Sequence, residues 1–271
     1  MCSRFQSVLN VECNHGRLLA LHTASVPPTP FSLVLEAAPD APWPEPGTAA
    51  RVIDHNLTAD WLHVDLTNTR LMRAIAVPKL GDCWDPRHEI AVLQPIAAKG
   101  AFGAWWDEQS NSRETLFATL RASAQKALRR LVATIRALDS ETFDIAAAAD
   151  QLIGLGPGGT PSGDDALIGF VGAWLRLGSD RRAASNVAES LARRSRTRTT
   201  RLAVEFYHHL VHGRLSYPLD QLLRAAALQD TRLLAHAADR LAQSGASSGR
   251  DTIAGVHAYL LTRVPVAGKE Y

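Results

Sequence analysis

The sequence predicts an α+β fold with segregated halves: a β-rich N-terminal barrel or sandwich, then a mainly helical C-terminal half. Two observations carry this. The first third alternates apolar and polar residues with the period of a half-buried strand, as in Phe31–Glu36 and Trp61–Leu66. From about Arg113 the period changes to that of a helix, with Leu116, Leu120, Ala124, Ala127, Leu131 and Ile135 on one face.

Taken in order, further strands are expected at Val8–Glu12, Arg17–Thr23, Arg51–Asp54 and Ala74–Val77, separated by turn-forming stretches. The segment AAPDAPWPEPG, residues 37–47, is too rich in proline to be anything but a loop or a sheet-edge excursion. The change of character falls in residues 95–111, which include Gly100, Gly103 and the pair Trp105-Trp106. This places a β-rich domain at 1–98 and a helical domain at 99–271. After the long helix, others are expected at Phe143–Ile153, Ser162–Leu177, Ala183–Arg193, Thr199–Val211, Pro218–Leu228, Thr231–Gln243 and Asp251–Arg263. Strands and helices do not alternate, so a Rossmann-type reading of any glycine cluster lacks its flanking strands.

Composition is that of a globular chain, with 46% hydrophobic and 21% charged residues. A net charge of +2 supplies no global field that would make nucleic acid or an acidic membrane the default partner. The cysteines, Cys2, Cys13 and Cys83, are odd in number and form no CxxC pair. The first residues are polar and lack the apolar core of a signal peptide, and no apolar run is long enough to span a bilayer. The expected location is the cytoplasm.

The chemistry is expected at GLGPGGTPSGDD, residues 154–165, which runs directly into an apolar helix. Glycines allow positive φ and close approach to a ligand, and a helix start aims free N–H groups and a positive dipole end at an anion. Ser162 is placed to cap the helix, with Asp165 as the reciprocal half of a capping box. The loop lacks the Lys-Ser/Thr ending of a phosphate-binding Walker motif. Asp164 and Asp165 would repel a bare anion, so they fit either a Mg²⁺-like ion that bridges carboxylate and phosphate, or a general base. A tight turn with a capped helix is the structural alternative.

A second segment repeats the design. SGRDTIAG at 248–255 matches SGDDALIG at 162–169, with Ser, Gly, Asp and a later Gly at equivalent places. Two such helix starts facing one pocket would bring Ser248, Gly249 and Asp251 to the same ligand, with Gly169 and Gly255 permitting close helix packing. Between the copies, RRSRTRTTR at 193–201 is either a solvated basic connector or an anion clamp headed by Arg198 and Thr199. His208 and His212 have a metal-ligand spacing, but no HExxH glutamate accompanies them, and a polar helix face explains them better.

The ordered motifs GLGPGGTPSGDD, RTRTTRL and SSGRDTIAG resemble a bacterial family, formerly a domain of unknown function, that includes the AllH-type subunit of oxamate carbamoyltransferase. The motifs cover roughly the C-terminal half. The resemblance implies a role in purine and ureide nitrogen catabolism, in a complex with other carbamoyltransferase subunits. That complex interconverts carbamoyl-oxamate plus phosphate with oxamate plus carbamoyl phosphate. It further implies that Gly156, Gly158, Thr160, Ser162 and Gly163 cradle a small anionic substrate, with Asp164 and Asp165 in the metal or acid–base role. Gly159 stands where the family pattern favours an aliphatic residue, and Ala166 where it favours an aromatic. Two other functions are compatible with the residues: a non-catalytic metabolite-binding or scaffolding subunit, and a metal-dependent hydrolase acting on a ureide.

Overall fold

A computed structural model describes residues 3–5, 7–37, 39, 41–81, 84–103, 116–136 and 145–264. Contacts divide the chain into two units, 1–74 and 75–271. The sequence reading divides it after residue 98; contacts divide it earlier because the first helix packs on two later helices of the second unit.

The N-terminal unit holds two small sheets. The first has the order β1 (Ser3–Arg4), β2 (Val8–Glu12), β3 (Leu18–Thr23) and β4 (Ser32–Leu35). Its strands pair antiparallel except for β3 and β4, which run parallel. The second is an antiparallel meander of β5 (Arg51–Ile53), β6 (Asn56–Ala59) and β7 (Leu62–Asp65). Leu9, Val11 and Leu21 of the first sheet share one core with Trp43, Leu57 and Leu62. The barrel alternative is therefore corrected. Strands of two to six residues, in sheets of four and three, do not close on themselves.

Alternation placed β2 to β5 and β7 within one or two residues. It missed β6 because the β5–β6 hairpin turns through Asp54 and His55, both at positive φ, with no Asn-Gly or Asp-Gly to announce it. The strand expected at Ala74–Val77 is assigned to no helix or strand and pairs with no ladder among the described residues.

The second unit is helical: α1 (Arg87–Ala97), α2 (Leu116–Arg136), α3 (Ile145–Ala149), α4 (Ser162–Leu177), α5 (Arg181–Ser195), α6 (Arg201–Val211), α7 (Tyr217–Ala227), α8 (Thr231–Ala242) and α9 (Ser248–Arg263). Helix α1 was not foreseen. Its apolar pattern is short and Pro95 lies in its last turn, where proline reads as a break. The expected Trp105-Trp106 linker lies outside the described residues.

Helices α4 and α9 form the centre. Both are buried along most of their length, which requires apolar or small residues on every face rather than a single stripe. Helices α1, α2 and α8 pack on α9, and α5, α6 and α7 pack on α4. Below the site, Arg176 on α4 pairs with the buried Asp220 on α7 at 2.8 Å.

Candidate functional site

The two Ser-Gly-x-Asp helix starts meet. Helices α4 and α9 cross in their N-terminal halves, where Gly169 lies over the Thr252 carbonyl and Gly255 over the Ala166 carbonyl. A Cβ on either glycine would come under 3.0 Å from that backbone oxygen. Ala166 and Thr252 are counterparts in the repeated motif, as are Gly169 and Gly255, so the contact is exchanged by an approximate twofold relation. The loops preceding the helices also touch, with Thr160 Oγ1 2.9 Å from Ser248 Oγ.

The same exchange governs the hydroxyls and acids. Ser162 at the start of α4 faces Asp251 of α9, and Ser248 at the start of α9 faces Asp165 of α4. The expected capping box is thereby corrected. Pro161 occupies the cap position of α4 without a side-chain cap bond, and Ser162 is the first helical residue, its hydroxyl directed across to Asp251. Ser247, the cap residue of α9, likewise makes no cap bond.

Asp164 and Asp165 are adjacent in sequence and unlike in environment. Asp164 is fully buried and accepts hydrogen bonds from Thr199 Oγ1 at 2.5 Å, Tyr207 OH at 2.8 Å and the Gly154 N–H at 3.1 Å. Burial pushes its carboxyl above its ordinary value, against these hydrogen bonds and the charge of Arg198. Burial and then Asp164 itself push the Tyr207 phenol well up, so Tyr207 remains a donor. Asp164 thus ties α4 to the 154 turn and to the head and middle of α6. Asp165 is held well above the usual carboxylate range by burial, and the charges of Asp251 and Asp164 add to this against the Ser248 and Thr160 hydroxyls. Asp251 is raised by burial too, opposed first by Ser162 and then by the Ala101 N–H, which donates to Oδ1 at 2.7 Å.

The remaining candidates divide between loop and scaffold. Pro157, Gly158 and Gly159 are exposed and Gly156 and Thr160 are half-buried, so the loop crest is open. Gly156 and Gly158 have φ of +113° and +103°, a region that side chains avoid. Gly163 and Gly249 are spent on close packing, against the carbonyls of Leu152 and Leu241. Two N–H groups of the α4 start are already satisfied, Gly163 by Leu155 O at 2.8 Å and Asp165 by Pro161 O at 3.1 Å.

Of the basic connector, Arg198 pairs with Asp150 and donates to the Asp150 carbonyl at 2.8 Å, while Arg194 joins the same carboxylate at 3.3 Å. Thr199 is held by Asp164, and the Thr200 hydroxyl donates to Gly159 O, pinning the loop to α6. His208 and His212 do lie together, with rings 5.1 Å apart. The histidine pairing that sequence reasoning missed is His209 with Glu205, buried at 3.2 Å and also four residues apart. Tyr207, whose hydroxyl reaches Asp164 from the middle of α6, was missed as well, because nothing in its local sequence marks it as a partner of a residue on α4. Among the described residues no three or more His, Cys, Asp or Glu side chains converge as a metal site.

Fold and site together define a helical unit built on two crossed helix starts and preceded in the chain by a small β unit. Residues 152–260 match the family model described as oxamate carbamoyltransferase subunit AllH. The matched span opens two residues before the glycine-rich loop and closes within α9, so it takes in both Ser-Gly-x-Asp starts, and the resemblance read from the motifs holds over it. No curated protein and no solved structure matches the chain. Among the described residues no helix is long and apolar enough to cross a membrane.

Proposed function

We propose that the protein is a subunit of a carbamoyltransferase-type enzyme of purine and ureide nitrogen catabolism, and that the crest Gly156–Thr160 receives carbamoyl phosphate or a related phosphate or carboxylate anion. The observation that carries this is the coincidence of the family match with the place where the two helix starts join. A carbamoyl transfer between phosphate and a carboxylate-bearing acceptor needs an anion site beside a group that can manage charge. An open, positive-φ glycine crest over two buried aspartates offers both. Asp164 is a positioning residue in this reading, because its oxygens are committed to Gly154, Thr199 and Tyr207. Asp165 and Asp251 are the groups left to act on charge. Other carbamoyltransferase subunits are its partners, and a cytoplasmic location goes with the same reading.

The test is carbamoyl transfer to oxamate by the enzyme assembled from this chain and its partner subunits. Thr160→Ala in this subunit is expected to lower turnover at least tenfold while assembly is retained, about the effect of losing one charge-assisted hydrogen bond. Unchanged turnover would transfer the anion site to a partner and leave this chain a scaffolding subunit.

A further inference from the structure

The crossing of α4 and α9 holds two carboxylates that make no ion pair among the described residues, Arg250 acting on Asp251 only as a weak, more distant charge. Asp165 is 6% exposed and Asp251 is 0% exposed. The Oδ2 atom of each has no hydrogen-bond donor among the described residues. Neither carboxylate makes an ion pair there. Arg250, one residue before Asp251, donates to the Ala246 carbonyl at 3.1 Å, and Arg198 is taken by Asp150. An ionised carboxylate buried without a partner is destabilising by several kcal/mol, and a second one close by adds repulsion. Something must neutralise the pair.

The surroundings fit a metal ion. Thr160, Ser162 and Ser248 place three hydroxyl oxygens against the two acids, and Ser162 and Ser248 reach across from the opposite helix starts. Every donor is a hard oxygen, with no sulfur or imidazole, and two negative charges match one divalent cation.

We propose that Asp165 and Asp251 together bind one hard divalent cation of the Mg²⁺, Mn²⁺ or Ca²⁺ class, with the hydroxyls of Thr160, Ser162 and Ser248 as supporting oxygen donors. The site draws one carboxylate from each helix start, so the ion clamps α4 to α9. Asp164 is left out of the ligand set, since both its oxygens already accept hydrogen bonds from Gly154, Thr199 and Tyr207. Two carboxylates and a few hydroxyls leave coordination positions for water or for an oxygen of the anion on the crest above. The ion site does not depend on the transferase reading, because it is tested with the metal alone.

The experiment is a titration of the chelator-treated full chain with Mn²⁺, read by equilibrium dialysis and by the electron paramagnetic resonance signal of the free ion. The expected result is one saturable Mn²⁺ per chain, with a Kd below about 1 mM and competition by Mg²⁺ or Ca²⁺. Asp165→Asn and Asp251→Asn each weaken it roughly 10- to 100-fold, whereas Asp239→Asn, on an exposed face of α8, does not. Absence of saturable binding to the wild-type chain overturns the proposal without recourse to any variant, and assigns neutralisation to protons. Binding that survives in both site variants overturns it equally.

Discussion

Gly169 and Gly255 face each other across the α4–α9 crossing, each seated on a backbone carbonyl of the opposite helix. Because each contacts the counterpart of the residue the other contacts, the two motif copies form a single joint, not two independent helix caps. Glycine inside a helix ordinarily lowers its stability by about 1 kcal/mol relative to alanine, so alanine here would stabilise the protein if space allowed. The carbonyls forbid it. Gly169→Ala or Gly255→Ala is expected to destabilise by roughly 1–3 kcal/mol in urea unfolding. Gly172→Ala, whose added methyl meets only Leu215 and Leu219 side-chain ends, should change stability much less. Equal effects at all three positions would dissolve the joint.

The adjacent aspartates should respond in opposite ways. Asp164→Asn turns an amide N–H toward groups that are all donors, Gly154 N–H, Thr199 and Tyr207. A loss of roughly 2–4 kcal/mol is expected. Asp165→Asn removes a charge that has no partner on Oδ2, so in metal-free buffer at neutral pH that variant should be at least as stable as the wild type. Tyr207→Phe should lower stability by about 1–3 kcal/mol. The readout is the unfolding midpoint at constant slope.

Dependence on pH follows from the same burial. Asp165 has a folded pKa well above its unfolded 3.8. Once the pH exceeds 3.8 the folded state holds a proton that the unfolded state has lost, so this group makes stability fall as pH rises from 3.8 through the folded value. In metal-free buffer, the stability advantage of Asp165→Asn over the wild type should therefore vanish near pH 4 and grow toward neutrality. A difference independent of pH would mean that Asp165 keeps its charge.

His257, buried on α9, acts in the opposite sense. Burial lowers its pKa from 6.5 to about 4, so between these values the unfolded state binds the proton and stability is lost as pH falls. At about 1.4 kcal/mol per pH unit, the full effect is roughly 3 kcal/mol. Unfolding free energies of His257→Leu and wild type, compared at pH 7 and pH 4.5, should converge or cross as the pH is lowered; a constant gap would place the titration elsewhere.

Much of this was legible in the chain. The α4 boundaries follow from Pro161 and Ser162 at one end and Gly178 at the other, and the repeated Ser-Gly-x-Asp with its later glycine foretold that α4 and α9 pack closely. What local pattern could not carry is where side chains point. Ser162 reads as the cap of its own helix, yet its partner Asp251 lies on the opposite helix. Asp164 reads as a member of an acid pair, yet its partner Tyr207 sits on α6 and is invisible without the fold. Helix α1 was lost to Pro95, and β6 to a hairpin whose turn residues, Asp54 and His55, adopt positive φ without glycine.

The central claim, that the crest at 156–160 receives an anion of carbamoyl transfer, is tested most directly by the melting temperature of the purified chain. It would be measured with carbamoyl phosphate, phosphate and oxamate, each with and without Mg²⁺. Binding to the native state alone raises the melting temperature by mass action, by an amount equivalent to about 2.7 kcal/mol at a hundredfold excess over Kd. The prediction is a rise with carbamoyl phosphate that is abolished by Gly158→Ala or Thr160→Ala. A rise of the same size in both loop variants, or none with any of the three anions, would contradict it.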